Sequence, residues 1–325
     1  MPVYSVFGGY FSSEVTFPEL REVPATAPTW TLRIVGVLPE VSELTLLGVH
    51  QASVRTVSTY KWPGGFRIVY SDENGTYDIS RDGSRITWLP GSGADVELAR
   101  MAILGRVLPT ALHAAGTLCL HGSAVTFADG GITFLAPKLH GKSTLALALA
   151  TAGARLLTDD TLPVEPGSPV MVGPGVHSVR LWRDSAERFL DETVPSISSN
   201  RVPAWKHIFN ELPGDRVALD RVPLLAVYLL RPVGSLPDGA AVRRTPVAPV
   251  RAAMSIVTQL KVGAVLGGSE SAVSFDRAVR VASSVPVYTL NVVRDFDRMP
   301  EVVGQIMEWH GHPVVSLQGA VAPAP

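Results

Sequence analysis

A single cysteine, Cys119, stands in a chain of 325 residues. One thiol excludes an internal disulfide framework and any zinc site built on paired cysteines, and it fits a reducing cytoplasm, the expected location. Charge is also scarce. Charged residues make up 18% of the chain, below the roughly 25% usual for soluble domains. The 28 basic and 29 acidic side chains nearly cancel, leaving a formal net charge of −1. That argues against a nucleic-acid partner, which calls for an excess of Lys and Arg to neutralise phosphates. No long hydrophobic run occurs. The longest, Leu224–Leu230, falls far short of the ~20 residues a membrane helix needs, so no membrane association is expected. The opening residues MPVYSVFGGYFSSEV lack a basic segment followed by an apolar one, so no secretory signal is read.

What the sequence does have divides into three stretches. Residues 1–98 alternate β-branched and aromatic residues with turn signals, as in Thr31-Leu-Arg-Ile-Val and Phe66-Arg-Ile-Val-Tyr. Tyr77–Ser80 and Arg85–Leu89, joined through Asp82-Gly83, predict a hairpin. This part carries no catalytic constellation and reads as a β-rich accessory or docking domain. From Asp95, a candidate N-cap, Val96, Leu98, Met101, Leu104, Val107 and Leu108 predict a helix with one apolar stripe. Residues 99–318 then alternate strand-like and helical segments, and the Ala- and Pro-rich residues 319–325 are expected to form a disordered tail. The fold expected is α/β: a P-loop core with a mixed sheet, preceded by a β-rich N-terminal domain.

The chemistry concentrates in three motifs. Residues Ala136, Pro137, Lys138, Leu139, His140, Gly141, Lys142, Ser143 and Thr144 lie between a predicted strand, Ile132–Ala136, and a predicted helix, 142–152. That is the context of a phosphate-binding loop. Backbone N–H groups at a helix N-terminus cradle phosphates, Lys142 reaches the β- and γ-phosphates, and the Ser143 hydroxyl ligates magnesium. Ala136 stands where the motif has its first glycine, which costs stability if that position needs positive φ. Asp159-Asp160 close the next predicted strand. With one short helix between them, the two strands are expected to be sheet neighbours, so the aspartates reach the carboxyl edge beside the loop. One could hold magnesium and the other accept a proton from a hydroxyl, and adjacent carboxylates raise each other's pKa. His121-Gly122-Ser123 ends a strand ahead of the loop hairpin, close enough to reach the same site.

Together these motifs resemble the catalytic domain of HPr kinase/phosphorylase, and more closely its shorter relatives encoded with ribosomal-peptide pathways, including the lasso-peptide kinases. The resemblance rests on Leu120-His-Gly-Ser-Ala-Val, Ala136–Thr144 and Leu156-Leu-Thr-Asp-Asp, with Val179-Arg-Leu-Trp and Trp205-Lys-His as softer matches. It implies ATP- and Mg2+-dependent transfer of the γ-phosphoryl group to a hydroxyl, on a peptide Ser/Thr or a small biosynthetic metabolite. Carried over by position, Asp159 is the general base, Asp160 supports the metal with Ser143, and His121 tunes Asp159. Lys142, Lys206 and Arg180 then serve the phosphates and the transition-state charge. The family's oligomers make a homo-oligomer an expectation here. Two departures stand out: Ala136, and the absence of the family's glutamate metal ligand from Val176–Asp184, where Asp184 and then Glu187 are the nearest acids. They motivate an alternative, a non-catalytic nucleotide-binding or docking protein with a degenerate loop. A simple ATPase or GTPase motor fits less well, because its second acidic motif normally sits on a more distant strand.

Overall fold

The computed structural model describes residues 1–52, 55–176, 179–182, 196–197, 206–209, 216–263 and 266–312. It holds two nine-stranded sheets and a three-stranded one, with helices on the second large sheet, a mixed α/β architecture. The first sheet contains β1 (Val3–Val6), β2 (Gly9–Ser13), β3 (Arg21–Val23), β4 (Trp30–Ile34), β5 (Thr45–Ala52), β6 (Arg55–Trp62), β7 (Gly65–Tyr70), β8 (Thr76–Ser80) and β9 (Arg85–Leu89), in the order β3-β1-β2-β4-β9-β8-β7-β6-β5. Period-2 burial drives it. Phe66, Ile68 and Tyr70 of β7 and Ile86 and Trp88 of β9 point into one core. The expected hairpin is present as β8 and β9, paired antiparallel. Its turn needs Gly83, at φ +77°, where a Cβ would lie 2.1 Å from the Ala111 carbonyl.

The helical stretch begins where Asp95 predicts. The Asp95 carboxylate accepts from the N–H groups of Glu97 (2.8 Å) and Leu98 (3.2 Å), capping α1 (Val96–Ala102). A wide π-helical turn (Ile103–Val107) leads into α2 (Leu108–Ala114). The buried face includes Leu104, Val107 and Leu108 of the predicted stripe together with Ala99, Ile103 and Ala111, whereas Val96 and Met101 face outward. These helices pack in the same cluster as the first sheet.

The second sheet contains β10 (Leu118–Leu120), β11 (Gly122–Phe127), β12 (Gly130–Leu135), β13 (Arg155–Thr158), β14 (Leu162–Glu165), β15 (Met171–Val172), β19 (Val222–Val233), β20 (Val242–Pro246) and β21 (Val287–Val293). β12, β19 and β21 run parallel, whereas β11 pairs antiparallel with both β12 and β13. The sheet is therefore mixed, as expected. On one face sit α3 (Lys142–Thr151) and α6 (Met299–Trp309); on the other lie α4 (Pro249–Val257) and α5 (Ser269–Ser284). Every residue of α3 from Leu145 to Ala150 is buried, which is why its sequence is apolar all round. The small sheet pairs β16 (Val179–Trp182), β17 (Ser196–Ile197) and β18 (Lys206–Phe209), and β16 adjoins α3. No described helix is long and apolar enough to cross a membrane.

The expected adjacency of β12 and β13 is not observed. β11, paired to β12 through the hairpin that precedes the loop, occupies the position beside it, and β13 pairs on the far side of β11. Two antiparallel pairings leave β13 parallel to β12, so both strands still end at one edge.

A buried polar network ties the two large sheets together. Glu270 of α5 holds Lys61 of β6 through Oε1 and accepts from His113 Nε2 of α2 at 2.8 Å. Arg277 Nη1 donates to His113 Nδ1 (3.2 Å) and to the His113 carbonyl (2.9 Å). An arginine donor at Nδ1 fixes the neutral Nε2–H tautomer, and burial lowers the His113 pKa. Glu270→Ala strands the buried Nε2–H and is expected to cost about 2 kcal/mol in denaturant unfolding, whereas Glu270→Gln, which keeps an acceptor, costs less.

Candidate active site

The loop between β12 and α3 turns through two left-handed residues, Leu139 (φ +69°) and Gly141 (φ +84°). Ala136 is not left-handed, so the missing first glycine carries no backbone penalty here. A Cβ on Gly141 would project into open space. Gly141 caps α3 and, being glycine, supplies no side-chain acceptor to the first turn of the helix. A helix N-terminus of this kind attracts anions. Lys142 is 6% exposed and folds back on the loop, its Nζ donating to the carbonyls of Ala136 (2.9 Å) and Pro137 (3.0 Å). Burial lowers its pKa to about 8, against the opposing pull of Asp159 and Asp160. His140 Nδ1 donates to the Lys138 carbonyl at 2.9 Å.

Asp159 follows β13 and is 5% exposed. The register that sets Thr158 opposite Ala124 brings Ser123 alongside it. Its Oδ1 accepts from Ser123 Oγ at 2.6 Å and from Ser143 Oγ at 2.8 Å. The carboxylate thus joins the strand edge to the first turn of α3. Asp160 adopts φ +72°, an L-residue conformation that costs about 1–2 kcal/mol relative to right-handed backbone. Leu139 and Asp160 are two of only three left-handed non-glycine residues among those described. Strain of this kind concentrates at functional sites.

His121 lies against Asp160. Its Nδ1 approaches both the Asp160 carbonyl and Oδ1 at 3.2 Å, so Nδ1 carries the proton and donates. The described contacts of Asp159 are to the two serines, so His121 meets the neighbour of the carboxylate it was expected to tune. The described partners of Asp160 are His121 and Lys261, whereas the Ser143 hydroxyl faces Asp159. Arg180 and Lys206 fall on β16 and β18, which pair with Arg180 opposite Ile208 and Trp182 opposite Lys206. Their side chains, with Asp184 and Glu187, lie outside the described part of the structure.

Lys261 was not singled out from the sequence. Its Nζ meets Asp160 Oδ2 at 2.6 Å, with its side chain only 13% exposed. It arrives after α4 by an isolated antiparallel bridge, Leu120 to Leu260, flanked by His121 N–H to the Gln259 carbonyl (2.6 Å) and Lys261 N–H to the Cys119 carbonyl (2.9 Å). No local pattern marks a lysine delivered this way. Lys261→Met removes the cation that neutralises Asp160 and is expected to lower the thermal unfolding midpoint by a few degrees, because a half-buried carboxylate loses its ion pair. Cys119 beside it is buried, with a thiol pushed up to about 12, and is no nucleophile.

The residues present fit the groups that the motifs imply. Ser143 Oγ and Asp159 Oδ1 are neighbouring oxygen donors, and magnesium is held by one or two carboxylates together with hydroxyl, water and phosphate oxygens. No cluster of three or more His, Cys, Asp or Glu able to cage a metal alone occurs among the described residues. The open side of Gly141 and the N-terminus of α3 suit phosphate oxygens.

Comparison with known proteins adds little. No family model matches the chain, and no curated protein matches it. Among solved structures, the HPr(Ser) kinase/phosphatase from Coxiella burnetii matches at 11% identity and a TM-score of 0.30, over 59% of this chain and 95% of that one. At that distance the likeness assigns no role to any residue of this chain.

Proposed function

We propose that the chain is an ATP- and Mg2+-dependent kinase that transfers the γ-phosphoryl group to a hydroxyl, on a peptide serine or threonine or on a small biosynthetic metabolite. The observation that carries the proposal is the buried Asp159 carboxylate bonded to Ser143 of the loop, one residue from Lys142. Lys142 would exchange its two loop carbonyls for phosphate oxygens, and the α3 N–H groups would hold the same phosphates. Magnesium, when bound, would neutralise developing charge on the β- and γ-oxygens. Asp159 would take the proton of the attacking hydroxyl, and Ser123 would orient it. Asp160, His121 and Lys261 would fix the turn that carries Asp159. Arg180 and Lys206 retain their proposed contacts to the transferred group, and a homo-oligomer remains part of the proposal.

A second reading of Asp159 has its own support. Its hydrogen bond to Ser143 suits a shared metal site, with the carboxylate acting as ligand rather than base. The kinase proposal itself is tested by ADP release with Mg·ATP, with and without serine- and threonine-containing peptides or hydroxylated metabolites. Acceptor-dependent ADP with an equal yield of phosphorylated product supports it. Binding without turnover, together with a stable co-purifying partner, supports the non-catalytic alternative.

A further inference from the structure

The first sheet ends at β5, which pairs with β6 alone and leaves its other side open. Gly267 donates its N–H to the Leu47 carbonyl on that side at 3.0 Å, and among the described residues no other backbone group bonds there. Thr56 of β6 turns its carbonyl toward β7, to the Ser71 N–H at 2.9 Å, so Val57 and Thr59 face β5, opposite His50 and Gly48. By the same alternation Val49 and Gln51 point their N–H and C=O groups outward, in step with Leu47. Natural sheet edges are blunted by Pro or Lys. The stretch past the bulge at Leu47, Gly48-Val-His-Gln, carries neither, and Val49 is 48% exposed.

This open stretch lies beside the candidate site. The chain reaches Gly267 from Lys261, which holds Asp160. Burial and the charges of Arg106, Lys138 and Arg55 lower the pKa of His50, so cations from the π-helical turn, the phosphate loop and β6 meet around the end of β5. The Arg55 guanidinium lies 6.0 Å from the Tyr70 ring, and the charge of Arg106 opposes the burial that raises the pKa of the Tyr70 hydroxyl. Among the described residues the only carboxylate in ion-pair contact with any of these cations is Asp72, 3.8 Å from Arg55. That is a local positive excess in a chain of net charge −1.

We propose that the acceptor is a peptide that adds to β5 as a strand, with acidic residues beside its serine or threonine held by Arg55, Arg106 and Lys138. The inference rests on the kinase reading above and selects the peptide from its two acceptor classes. An added strand gains main-chain bonds to Val49 and Gln51 whatever its sequence, and the cations select its charge. In the transfer, the γ-phosphorus exchanges its bond to the β–γ bridging oxygen for one to the peptide hydroxyl oxygen. The hydroxyl proton passes to Asp159, and ADP leaves.

Incubation of the full-length protein with Mg·ATP and a library of short random peptides, each with one serine or threonine, tests the proposal. Phosphorylated peptides are expected to be enriched about threefold or more in Asp and Glu beside the phosphorylated residue, the order that exposed charge pairs supply. Arg55→Gln combined with Arg106→Gln should remove that enrichment and leave Mg·ATP affinity unchanged. Val49→Pro deletes an outward N–H, leaves the ladder to β6 intact, and should raise the KM of a selected peptide about fivefold. N-methylation of alternate amides in that peptide should do the same with the wild-type protein, which removes any dependence on how the variant folds. A library left unphosphorylated while Mg·ATP binds, selection of basic or uncharged flanks, or a KM moved by neither change overturns the proposal and leaves the kinase reading standing. A Mg·ATP affinity that falls with the two arginines gives the patch to nucleotide phosphates and overturns it as well. Absence of any Mg·ATP binding overturns the kinase reading, and this inference with it.

Discussion

Asp159→Asn is expected to bind Mg·ATP within a few-fold of the wild type while losing phosphoryl transfer by about 10²–10⁴, the usual contribution of a positioned general base. The amide keeps an Oδ1 able to accept from Ser123 and Ser143, the two bonds that hold the side chain at 2.6 and 2.8 Å. Shape and loop geometry should therefore survive, and only the ability to take a proton is lost. Equilibrium binding and single-turnover transfer on the same preparation separate the two assignments of this residue. If Asp159 is the base, affinity holds and the transfer rate falls. Should magnesium-dependent affinity fall in step with transfer while magnesium-free ATP binds normally, the carboxylate is a metal ligand. Wild-type transfer by the variant would remove Asp159 from the chemistry altogether.

The second large effect is on pH dependence, and it follows from Lys142. Burial sets its pKa at about 8 in the protein without nucleotide, from an ordinary 10.5. Phosphates placed against the ammonium favour its charged form, so the pKa in the complex is higher. Affinity for Mg·ATP is then full below pH 8 and falls up to about tenfold per pH unit between the two values, with up to one proton taken up on binding. Calorimetry in buffers of different ionisation enthalpy counts that proton. Folding stability moves the opposite way. Between about 8 and 10.5 the unfolded chain binds more protons at this site than the folded one, so Lys142 makes stability rise with pH there. Lys142→Met should flatten both profiles. A nucleotide affinity that does not change from pH 7 to 10 would show that Lys142 does not meet the phosphates as a titrating cation.

The parts of this site that were legible in the sequence are those encoded locally. A Gly-Lys-Ser-Thr string between a buried strand and an all-apolar helix states its own context, and a pair of aspartates at the next strand end follows from it. Asp95 as a cap and the β8–β9 hairpin are local in the same sense. What could not be read depends on pairing between distant segments. β11 inserts between β12 and β13 because a hairpin forms more readily than a crossover, and nothing within the motif spacing records that. Lys261 reaches Asp160 through a single bridge 140 residues along the chain from Leu120 to Leu260. The parallel pairings of β2 with β4 and β4 with β9 in the first sheet are likewise non-local. The penalty expected at Ala136 assumed a left-handed backbone there, and the loop places that conformation at Leu139 and Gly141 instead.

Binding of nucleotide phosphates by the loop at Lys142 is read from thermal unfolding with and without saturating Mg·ATP. Ligand at about 100 times its dissociation constant stabilises by roughly 2.7 kcal/mol, which for a chain of this size raises the midpoint by several degrees. That rise is expected in the wild type and is expected to be lost in Lys142→Ala, each measured against its own unliganded midpoint. No rise in the wild type, or an equal rise in the variant, would contradict it.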